Sequence, residues 1–380
     1  MIARMLESNP NLERASETEL LAAISRSLGR QRSQKDLTAR RQLVRSIYDS
    51  MRGFDILQSF LDDSSISEIM VNGPDSIFIE RHGKLETVAK KFDDREHLTQ
   101  VIARCFGRAN RLINEQNPLA GMRFPDGSRV HAVLPPAAPN GPCLSIRRFS
   151  NFKPSIKELL RLGSLSPEAA KYLAKAVRGR ANIFISGGTG SGKTSFLNAL
   201  SSLIPASERI VTIEDSAELD LQGLPNLVRL EARSPGPDGR GGISLEELIR
   251  TSLRLRPDRI IVGEVRGKES FEMIQAMSTG HPGSMSTGHG NNAREMLDRL
   301  ALMMLMASNL PWEAIKRLLA SSLDIIVHLE RLASGQRIVR EISELKGFID
   351  NEIVLAKRFE RSSDSKQLCS INSENKNEAN

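Results

Sequence analysis

The feature that most constrains this 380-residue chain is a glycine-rich loop between two apolar segments. An apolar run at 183–185 predicts a buried strand, and residues 195–203 have the spacing of a helix. Between them lies the pattern Gly-x4-Gly-Lys-Thr, from Gly187 to Thr194. Strand, glycine loop and helix in this order form the context in which the pattern makes a phosphate-binding P-loop. The sequence therefore predicts a nucleotide site; the alternative is a flexible turn with a solvated lysine.

The residue types in this loop suit phosphate chemistry. Glycines let the backbone curl so that several N–H groups point inward, and the new helix adds its positive end. Lys193 can reach the β- and γ-phosphates, and the Thr194 hydroxyl can bind Mg²⁺. We expect the nucleotide to be held by Gly187, Gly188, Thr189, Gly190, Ser191, Gly192, Lys193, Thr194 and Ser195.

Composition is that of a soluble globular protein, with 26% charged and 39% apolar residues. No apolar run approaches the roughly 18 residues that span a bilayer, and the N-terminus predicts no signal peptide. Three scattered cysteines, Cys105, Cys143 and Cys369, have no metal or disulfide spacing, which fits a reducing cytoplasm.

A net charge of +7 permits contact with nucleic acid, anionic lipid or an acidic protein surface. Proteins that grip single strands usually stack bases on aromatic side chains. Since aromatic residues make up only 4% of this chain, composition argues mildly against nucleic acid as the partner.

Residues 1–60 predict a helical arm. Ser16 and Glu19 have the spacing of a capping box, and residues 43–54 form a second amphipathic stretch. The basic, polar residues 30–41 between them are interpreted as a connector. The arm is either a solvated structure or a surface that docks a partner or membrane.

Residues 61–149 predict an α+β domain of short strands and turns. Apolar alternation and turn residues over 68–80 predict a hairpin, and residues 95–108 predict a helix. Further strands are expected within 127–134 and 144–149, with arginines at their ends or edges.

The rest of the chain predicts a nucleotide-binding domain. A linker and two helices occupy 150–180, and strands alternate with helices over 181–358, which favours an α/β fold with a mostly parallel sheet. Residues 359–380 are rich in Ser, Asn, Lys and Glu and predict a disordered tail. The expected strands are 183–185, 209–213, 227–230, 260–262 and 325–329.

A carboxylate follows one of these apolar strands. Glu264 ends the run 259–264, and a strand next to that of the P-loop would present it to the nucleotide. There it could orient or activate the attacking water and help to hold Mg²⁺. The alternative is a solvated glutamate at a strand end.

A second acidic cluster follows the strand 209–213. Its members are Glu214, Asp215 and Glu218, and acidic residues at such positions either serve a site or cap a helix. A Gly/Ser/Thr loop over 278–290 carries two histidines without metal-ligating neighbours, so zinc is not expected. The histidines could contact the γ-phosphate or simply hold loops together.

Five arginines crowd around the strand that ends at Glu264. They are either a solvated face or the lining of a subunit junction, where arginines meet a neighbour's phosphate. These residues are Arg250, Arg254, Arg256, Arg259 and Arg266.

With these pieces in order, the chain resembles the type II/type IV secretion ATPase family, and within it the CpaF-like branch that drives Tad/Flp pilus assembly. The resemblance covers roughly residues 56–347. The matching blocks are 67–74, 126–130, the P-loop, 212–219, 255–267 and 279–289.

The resemblance implies a cytoplasmic homohexameric ATPase, peripheral to the inner face of the plasma membrane, that uses ATP and Mg²⁺. It would have an N-terminal domain, a hinge near 150–154 and a RecA-like C-terminal domain. Its partners would be inner-membrane platform proteins, with anionic membrane as a further peripheral contact.

The resemblance also implies roles for individual residues. Glu264 would be the Walker B glutamate, and Asp215 and Glu264 would join Thr194 around the metal. Glu214 would act beside them in the family's aspartate box. His281 and His289 would form the histidine box, and the N-terminal arginines that reach phosphate would be Arg129, Arg147 and Arg148.

Some family positions differ. The family's acidic-Ala-Arg pattern is missing around Arg123, which is therefore not assigned. Two other functions stay open: a DNA-conjugation or effector-secretion motor, and a nucleotide-binding scaffold that does not hydrolyse. Intact Lys193, Thr194 and Glu264 argue against the scaffold.

Overall fold

The computed structural model describes residues 15–28, 34–81, 83–109, 111–148, 154–221, 223–233, 235, 240–361 and 368–371. The chain divides into two compact units, Met1–Ser150 and Asn151–Asn380. Among the described helices, none is long and apolar enough to cross a membrane.

The first unit begins with two helices, α1 (Glu17–Ser27) and α2 (Gln34–Arg52). The predicted capping box is confirmed, since Ser16 and Glu19 bond each other's backbone N–H groups. Leu20 of α1 is fully buried against apolar side chains of α2. The predicted connector 30–41 is wrong from Gln34 onward, where α2 begins.

A six-stranded antiparallel sheet follows, in the order β3-β2-β1-β6-β5-β4. The predicted hairpin is confirmed by the pairing of β1 with β2. Inward residues such as Ile69 and Val130 pack on α4, which has the predicted bounds and buries Leu98 and Ile102. The elements are a 3₁₀ turn (Asp55–Leu57), α3 (Gln58–Leu61), β1 (Ile66–Asn72), β2 (Ile77–Arg81), β3 (Lys84–Val88), α4 (Arg95–Arg108), β4 (Leu119–Arg123), β5 (Arg129–Val133) and β6 (Cys143–Arg147).

The second unit is an α/β domain built on a nine-stranded sheet. The elements up to the centre are α5 (Ile156–Arg161), α6 (Pro167–Arg178), β7 (Ile183–Gly187), α7 (Lys193–Ser201), β8 (Ile210–Glu214), β9 (Leu227–Glu231), α8 (Leu245–Ser252), a 3₁₀ turn (Leu253–Leu255) and β10 (Arg259–Val262). Those that follow are α9 (Glu269–Ser278), β11 (Met285–Gly288), α10 (Ala293–Ala307), α11 (Trp312–Ser322), β12 (Ile325–Arg331), β13 (Arg337–Ile349), β14 (Glu352–Glu360) and β15 (Cys369–Ser370).

The sheet order is β15-β14-β13-β12-β7-β11-β10-β8-β9. From β12 to β9 all neighbours are parallel, which confirms the predicted mostly parallel sheet. One face packs on α6 and α7, for example through Leu173 and Leu197. The other face packs on α8 to α11, for example through Ile249, Met273 and Leu300. The domain therefore has three layers, as the α/β prediction requires.

The central part of the sheet differs from expectation in one respect. The predicted loop over 278–290 contains β11, which pairs with β7 on one side and β10 on the other. The strand ending before Glu264 is therefore second from β7 and not adjacent to it. All four residues of β11 are buried, and side chains as small as Ser and Gly fit between the two helical layers.

The C-terminal end of the chain also differs from the prediction. The predicted disordered tail 359–380 is wrong at its start, since β14 runs to Glu360, and β15 pairs with β14 through Cys369 and Ser370. Main-chain bonding to an otherwise open strand edge supports this short strand despite its polar sequence. Most of the predicted hinge 150–154 lies outside the described residues.

Candidate nucleotide site

The glycine loop joins β7 to α7 at the carboxyl end of the parallel strands. Gly192 is the N-cap of α7, with φ of +93°, and Gly190 has φ of +72°. Both lie in the left-handed region, which glycine occupies without steric penalty. The loop thus turns sharply and directs the first N–H groups of α7 toward the cleft, as anion binding requires.

Two arginines hold this loop from the side of β12. Arg331 and Arg337 face each other across the β12–β13 hairpin, and Arg337 Nε donates to the Gly190 carbonyl at 3.0 Å. A Cβ at Gly192 would lie 3.1 Å from Arg337 Cδ, and one at Gly190 would lie 3.2 Å from Arg331 Nη1. Close approach of the hairpin therefore also favours glycine. Sequence patterns do not identify these arginines, because they lie about 140 residues away and have no local motif.

Lys193 of the loop is buried, with 8% exposure. Its Nζ donates to the carbonyls of Gly187 and Gly188, both at 3.1 Å. The same atom lies 3.3 Å from His289 Nδ1 and 4.0 Å from Glu264 Oε1. The structure thus brings together three of the predicted site residues around one ammonium group.

Glu264 follows β10, and its two carboxylate oxygens have different surroundings. Oε2 accepts hydrogen bonds from Arg266, from Nε at 2.9 Å and from Nη2 at 2.5 Å. Oε1 lies 2.8 Å from His289 Nε2 but is not aligned for hydrogen bonding. It is buried and has no hydrogen-bond partner among the described residues. A buried carboxylate oxygen in that state is available to water or a cation.

His289 comes directly after β11 and touches both Lys193 and Glu264. Burial is the main cause that lowers its pKa, and the positive charge of Lys193 lowers it further. The imidazole is therefore neutral at pH 7 and adds no second cation beside Lys193. It borders a cleft of about 500 Å³, whose lining also includes Gly188, Thr189 and Arg299.

The acidic cluster at the end of β8 has a partly architectural role. Glu214 is 4% exposed, and its Oε1 accepts the backbone N–H groups of Glu218 at 2.8 Å and Leu219 at 2.9 Å. A Cβ at Gly263 would lie 3.0 Å from Glu214 Cγ. Glu214 therefore packs on the residue just before Glu264 and fixes the turn after β8.

The other two acids of this cluster act on Arg266 through charge. Burial alone would lower the pKa of Arg266, but its bond to Glu264 and the charges of Asp215 and Glu218 raise it. Asp215 itself is exposed. The arginine that holds Glu264 is thus kept in an acidic setting.

The structure separates the two predicted histidines. Strand β11 runs parallel to β7, with Met285 opposite Ile183 and Gly288 opposite Ser186. His289 therefore follows at the carboxyl end, beside the loop, whereas His281 precedes the strand at the amino end. Within one chain, the whole of β11 therefore separates His281 from His289.

His281 belongs instead to a network at the amino edge of the sheet. Ser284 Oγ donates to the His281 carbonyl at 2.8 Å. The neighbouring Gly283 packs on the buried Arg259, where a Cβ would lie 2.5 Å from Nη1. Arg259 makes a two-point ion pair with Glu208, at 2.6 Å and 3.0 Å. These contacts give the segment around His281 a structural role.

The predicted phosphate-contacting arginines of the first unit fall into two settings. Arg129 and Arg147 face each other across β5 and β6, and Arg147 faces Glu68 on β1, 3.6 Å away. Arg148 instead bonds the main-chain carbonyl of Asp63. Arg123 of β4, which was not assigned from the sequence, faces Arg129 of β5. Only the strand register reveals this row of three arginines.

The residues of the second unit fit a Mg²⁺-bound nucleotide. Hydroxyl and carboxylate oxygens, here on Thr194 and Glu264, are the ligands that Mg²⁺ prefers beside phosphates. Oε1 of Glu264, which is buried and has no hydrogen-bond partner among the described residues, supports such a use. Across the described residues no group of three His, Cys, Asp or Glu side chains could hold a metal alone. Phosphate oxygens would have to complete the coordination.

A parallel sheet with a strand–glycine loop–helix unit at its carboxyl edge defines the P-loop class of fold. The family model described as "Type II/IV secretion system protein" matches residues 51–372. The chain belongs to this family.

Curated relatives agree with the family. A putative conjugal transfer protein of Mycobacterium tuberculosis is 33% identical over 309 residues, which cover 80% of this chain and 87% of the relative. The type IV secretion system protein PtlH of Bordetella pertussis is 35% identical, with coverage of 76% and 92%. VirB11 of Brucella suis, also a type IV secretion system protein, is 33% identical, with coverage of 72% and 83%.

Solved structures confirm the fold. The ATPase DotB of Yersinia pseudotuberculosis has a TM-score of 0.54 and 19% identity, with coverage of 77% of this chain and 78% of that chain. The pilus retraction motor PilT, solved with bound ADP, has a TM-score of 0.52 and 20% identity, with coverage of 84% and 83%.

Proposed function

We propose that this protein is a Mg²⁺-dependent ATPase that drives assembly of a Tad/Flp-type pilus or a related secretion machine. The observation that supports hydrolysis most directly is the state of Glu264. One oxygen of its carboxylate is fixed by Arg266, while the other is buried, has no hydrogen-bond partner among the described residues and lies 4.0 Å from Lys193. A scaffold that only binds nucleotide has no need of such a carboxylate.

Each residue then has a role in the reaction. Lys193 leaves the carbonyls of the loop for the β- and γ-phosphates, and the N–H groups of the loop bind their oxygens. Glu264 orients the attacking water and accepts its proton through Oε1. Arg266 positions Glu264, and Glu214 positions the turn beside it. Thr194, with Glu264 and Asp215, would hold Mg²⁺, which when bound would supply positive charge to the phosphates.

The neutral imidazole of His289 contacts Lys193 and Glu264 at once. It orients the lysine toward the terminal phosphate without adding positive charge. His281 is not part of this group, because it lies at the other edge of the sheet.

The wider assembly rests on the resemblance. The protein acts as a homohexamer at the cytoplasmic face of the inner membrane and moves platform proteins of the pilus system. By the same resemblance, Arg129, Arg147 and Arg148 of the first unit contact nucleotide phosphate. The net charge of +7 suits a peripheral contact with anionic lipid.

A second candidate is a motor for DNA conjugation or effector secretion. It is favoured by the relatives, one named as a putative conjugal transfer protein and others as type IV secretion proteins. The low aromatic content stands against direct binding of single strands by this chain. Co-purification distinguishes the two: a pilus platform protein supports the first, and a DNA-transfer or effector substrate supports the second.

Hydrolysis is tested by phosphate release from Mg²⁺-ATP. We expect Glu264→Gln to lower kcat by about 10²–10⁴-fold while ATP still binds, since proton transfer and water orientation are lost. Glu246→Gln is the matched control, because Glu246 pairs with Arg250 on the surface of the same domain. Equal rates for wild type and Glu264→Gln would overturn the role of Glu264. No hydrolysis by any of the three, even with lipid, would favour the scaffold.

A further inference from the structure

Arg337, the first residue of β13, contacts two parts of the second unit that lie far apart in the sequence. Its side-chain Nε donates to the Gly190 carbonyl of the glycine loop at 3.0 Å. Its main-chain carbonyl accepts a hydrogen bond from Ser164 Oγ at 2.6 Å. Ser164 lies in the connection between α5 and α6, residues 162–166. One residue therefore bridges the phosphate-binding loop and this connection.

The α5–α6 connection is also bonded to the neighbours of Arg337. Gln336 Nε2 donates to the Leu162 carbonyl at 2.9 Å. The Val339 N–H donates to the Ser164 carbonyl at 2.9 Å. Because these bonds reach the main chain of the connection, a displacement at the start of β13 also displaces the connection and the end of α5.

At the other end of the bridge, the loop uses some of its phosphate-binding donors internally. The Ser191 N–H donates to the Gly188 carbonyl at 3.3 Å. A phosphate in the loop competes for this N–H group. Since a peptide unit is planar, turning the Ser191 N–H toward a phosphate also turns the Gly190 carbonyl. That carbonyl is the group to which Arg337 donates.

Arg337 contacts the loop where its backbone turns most easily. Gly190 and Gly192 both have positive φ, and glycine adopts such conformations without steric penalty. A Cβ at Gly192 would lie 3.1 Å from Arg337 Cδ, so the stem of the arginine lies close to the second glycine. A change in the loop at either glycine therefore acts directly on this side chain.

We propose that Arg337 is a positioning residue that transmits phosphate binding from the glycine loop to the α5–α6 connection. The proposal rests on the proposed ATPase function and concerns what the occupied site changes elsewhere in the domain. Because the loop and the connection are bonded to the same residue, they open together, and a ligand that closes the loop slows the opening of the connection. The end of α5, the first described helix after Asn151, thus responds to the nucleotide.

The test breaks the bridge at each end. Arg337→Met keeps an unbranched stem beside Gly192 but has no N–H for the Gly190 carbonyl. Ser164→Ala removes the hydroxyl that bonds the Arg337 carbonyl. Arg340→Met is the matched control, because it removes the same charge from the same strand, where Arg340 pairs with Glu330 at 3.4 Å.

Hydrogen exchange of backbone amides is measured with and without Mg²⁺, using saturating tripolyphosphate or a non-hydrolysable ATP analogue. Tripolyphosphate has no sugar or base that could contact the connection directly. The reporters are the N–H groups of Leu162, Gly163 and Ser164, which donate to carbonyls of α5. Slower exchange of the glycine-loop amides shows that the loop is occupied.

In wild type we expect either ligand, with Mg²⁺, to slow exchange of the reporters about threefold or more. Arg337→Met and Ser164→Ala should lose most of this effect while the loop is occupied, and Arg340→Met should match wild type. If Arg337→Met binds neither ligand, Ser164→Ala decides; if only the ATP analogue binds, the comparison is made with it.

Two results would overturn the role of Arg337. One is an occupied loop in wild type without any change at the reporters. The other is the full change in a variant whose bridge is broken. If wild type binds neither ligand, the proposed ATPase function itself fails.

Discussion

Arg266 binds one oxygen of Glu264 through two nitrogens, with Nε at 2.9 Å and Nη2 at 2.5 Å from Oε2. Both nitrogens donate to the same oxygen, so the charged guanidinium holds Oε2. Oε1 is consequently directed toward Lys193 and His289. The arginine thus decides which oxygen of the proposed catalytic carboxylate faces the phosphates.

Replacing this arginine should affect turnover more than binding. We expect Arg266→Gln to lower kcat for ATP hydrolysis about tenfold or more, as for other residues that orient a catalytic group, with KM nearly unchanged. Arg266→Lys keeps the charge but cannot make both contacts, so it should recover only part of kcat. Steady-state phosphate release measures both constants. Unchanged kcat in Arg266→Gln would exclude the positioning role.

The proximity of Lys193 to His289 predicts a coupled titration. Burial is the main cause that lowers the pKa of His289, and Lys193 lowers it further. Lys193→Met should therefore raise the pKa of His289, because the imidazolium no longer faces a cation. NMR titration of the imidazole protons measures the change. His328, whose pKa is lowered mainly by burial and not by Lys193, is the internal control.

The same shift has a consequence for stability. Because the folded-state pKa of His289 lies below its ordinary value of 6.5, the folded protein disfavours the proton. The contribution of His289 to the stability of the fold is present above about pH 6.5 and is lost as pH falls toward the folded-state pKa. In Lys193→Met this acid-side loss should be smaller. A His289 pKa unchanged by the substitution would contradict the contact.

The two histidines should behave differently because they lie at opposite edges of the sheet. We expect His289→Ala to change ATP hydrolysis, since it removes the contacts to Lys193 and Glu264. His281→Ala should leave ATP affinity unchanged in the isolated protein, since its neighbours are main-chain and structural groups. Binding and phosphate release are measured side by side. Equal loss of ATP affinity in both variants would contradict the separation.

The buried ion pair at the amino edge should be a stability determinant. Arg259 is fully buried and Glu208 is 7% exposed, so Arg259→Met leaves the buried carboxylate with only its longer, 3.6 Å contact to Arg180. We expect a loss of about 3–5 kcal/mol in the free energy of unfolding. Urea unfolding measures it, and the double variant with Glu208→Met should lose less. Arg340→Met, which breaks a half-exposed pair with Glu330, should lose at most about 1 kcal/mol.

Strands with an apolar sequence could be predicted, whereas a strand that depends on its neighbours could not. Isoleucines in β7 and β10 form apolar runs that predict strands, and the glycine loop identified the helix after β7. The central strand β11 reads Met-Ser-Thr-Gly and has no such signal. It is a strand because parallel partners lie on both sides of it. That omission also hid the separation of His281 from His289.

The residues of the site also divide into those with a local sequence signal and those without one. Lys193 and Glu264 lie in local motifs, so sequence patterns identify them and predict that they meet at one edge of the sheet. Arg337 contacts the same loop only because the β12–β13 hairpin folds back over it. No local pattern encodes such a contact. Predicting it requires the sheet order, which a single sequence does not specify.

The two edges of the parallel sheet differ in how their polar groups are bonded. At the amino edge, Arg259 and Asn182 are bonded to fixed partners. At the carboxyl edge, Lys193 rests on loop carbonyls and one oxygen of Glu264 has no hydrogen-bond partner among the described residues. Heritable changes at these edges should therefore surface in different traits. Altered residues at the amino edge would reduce how much protein accumulates. Those at the carboxyl edge would leave abundant protein that is inactive.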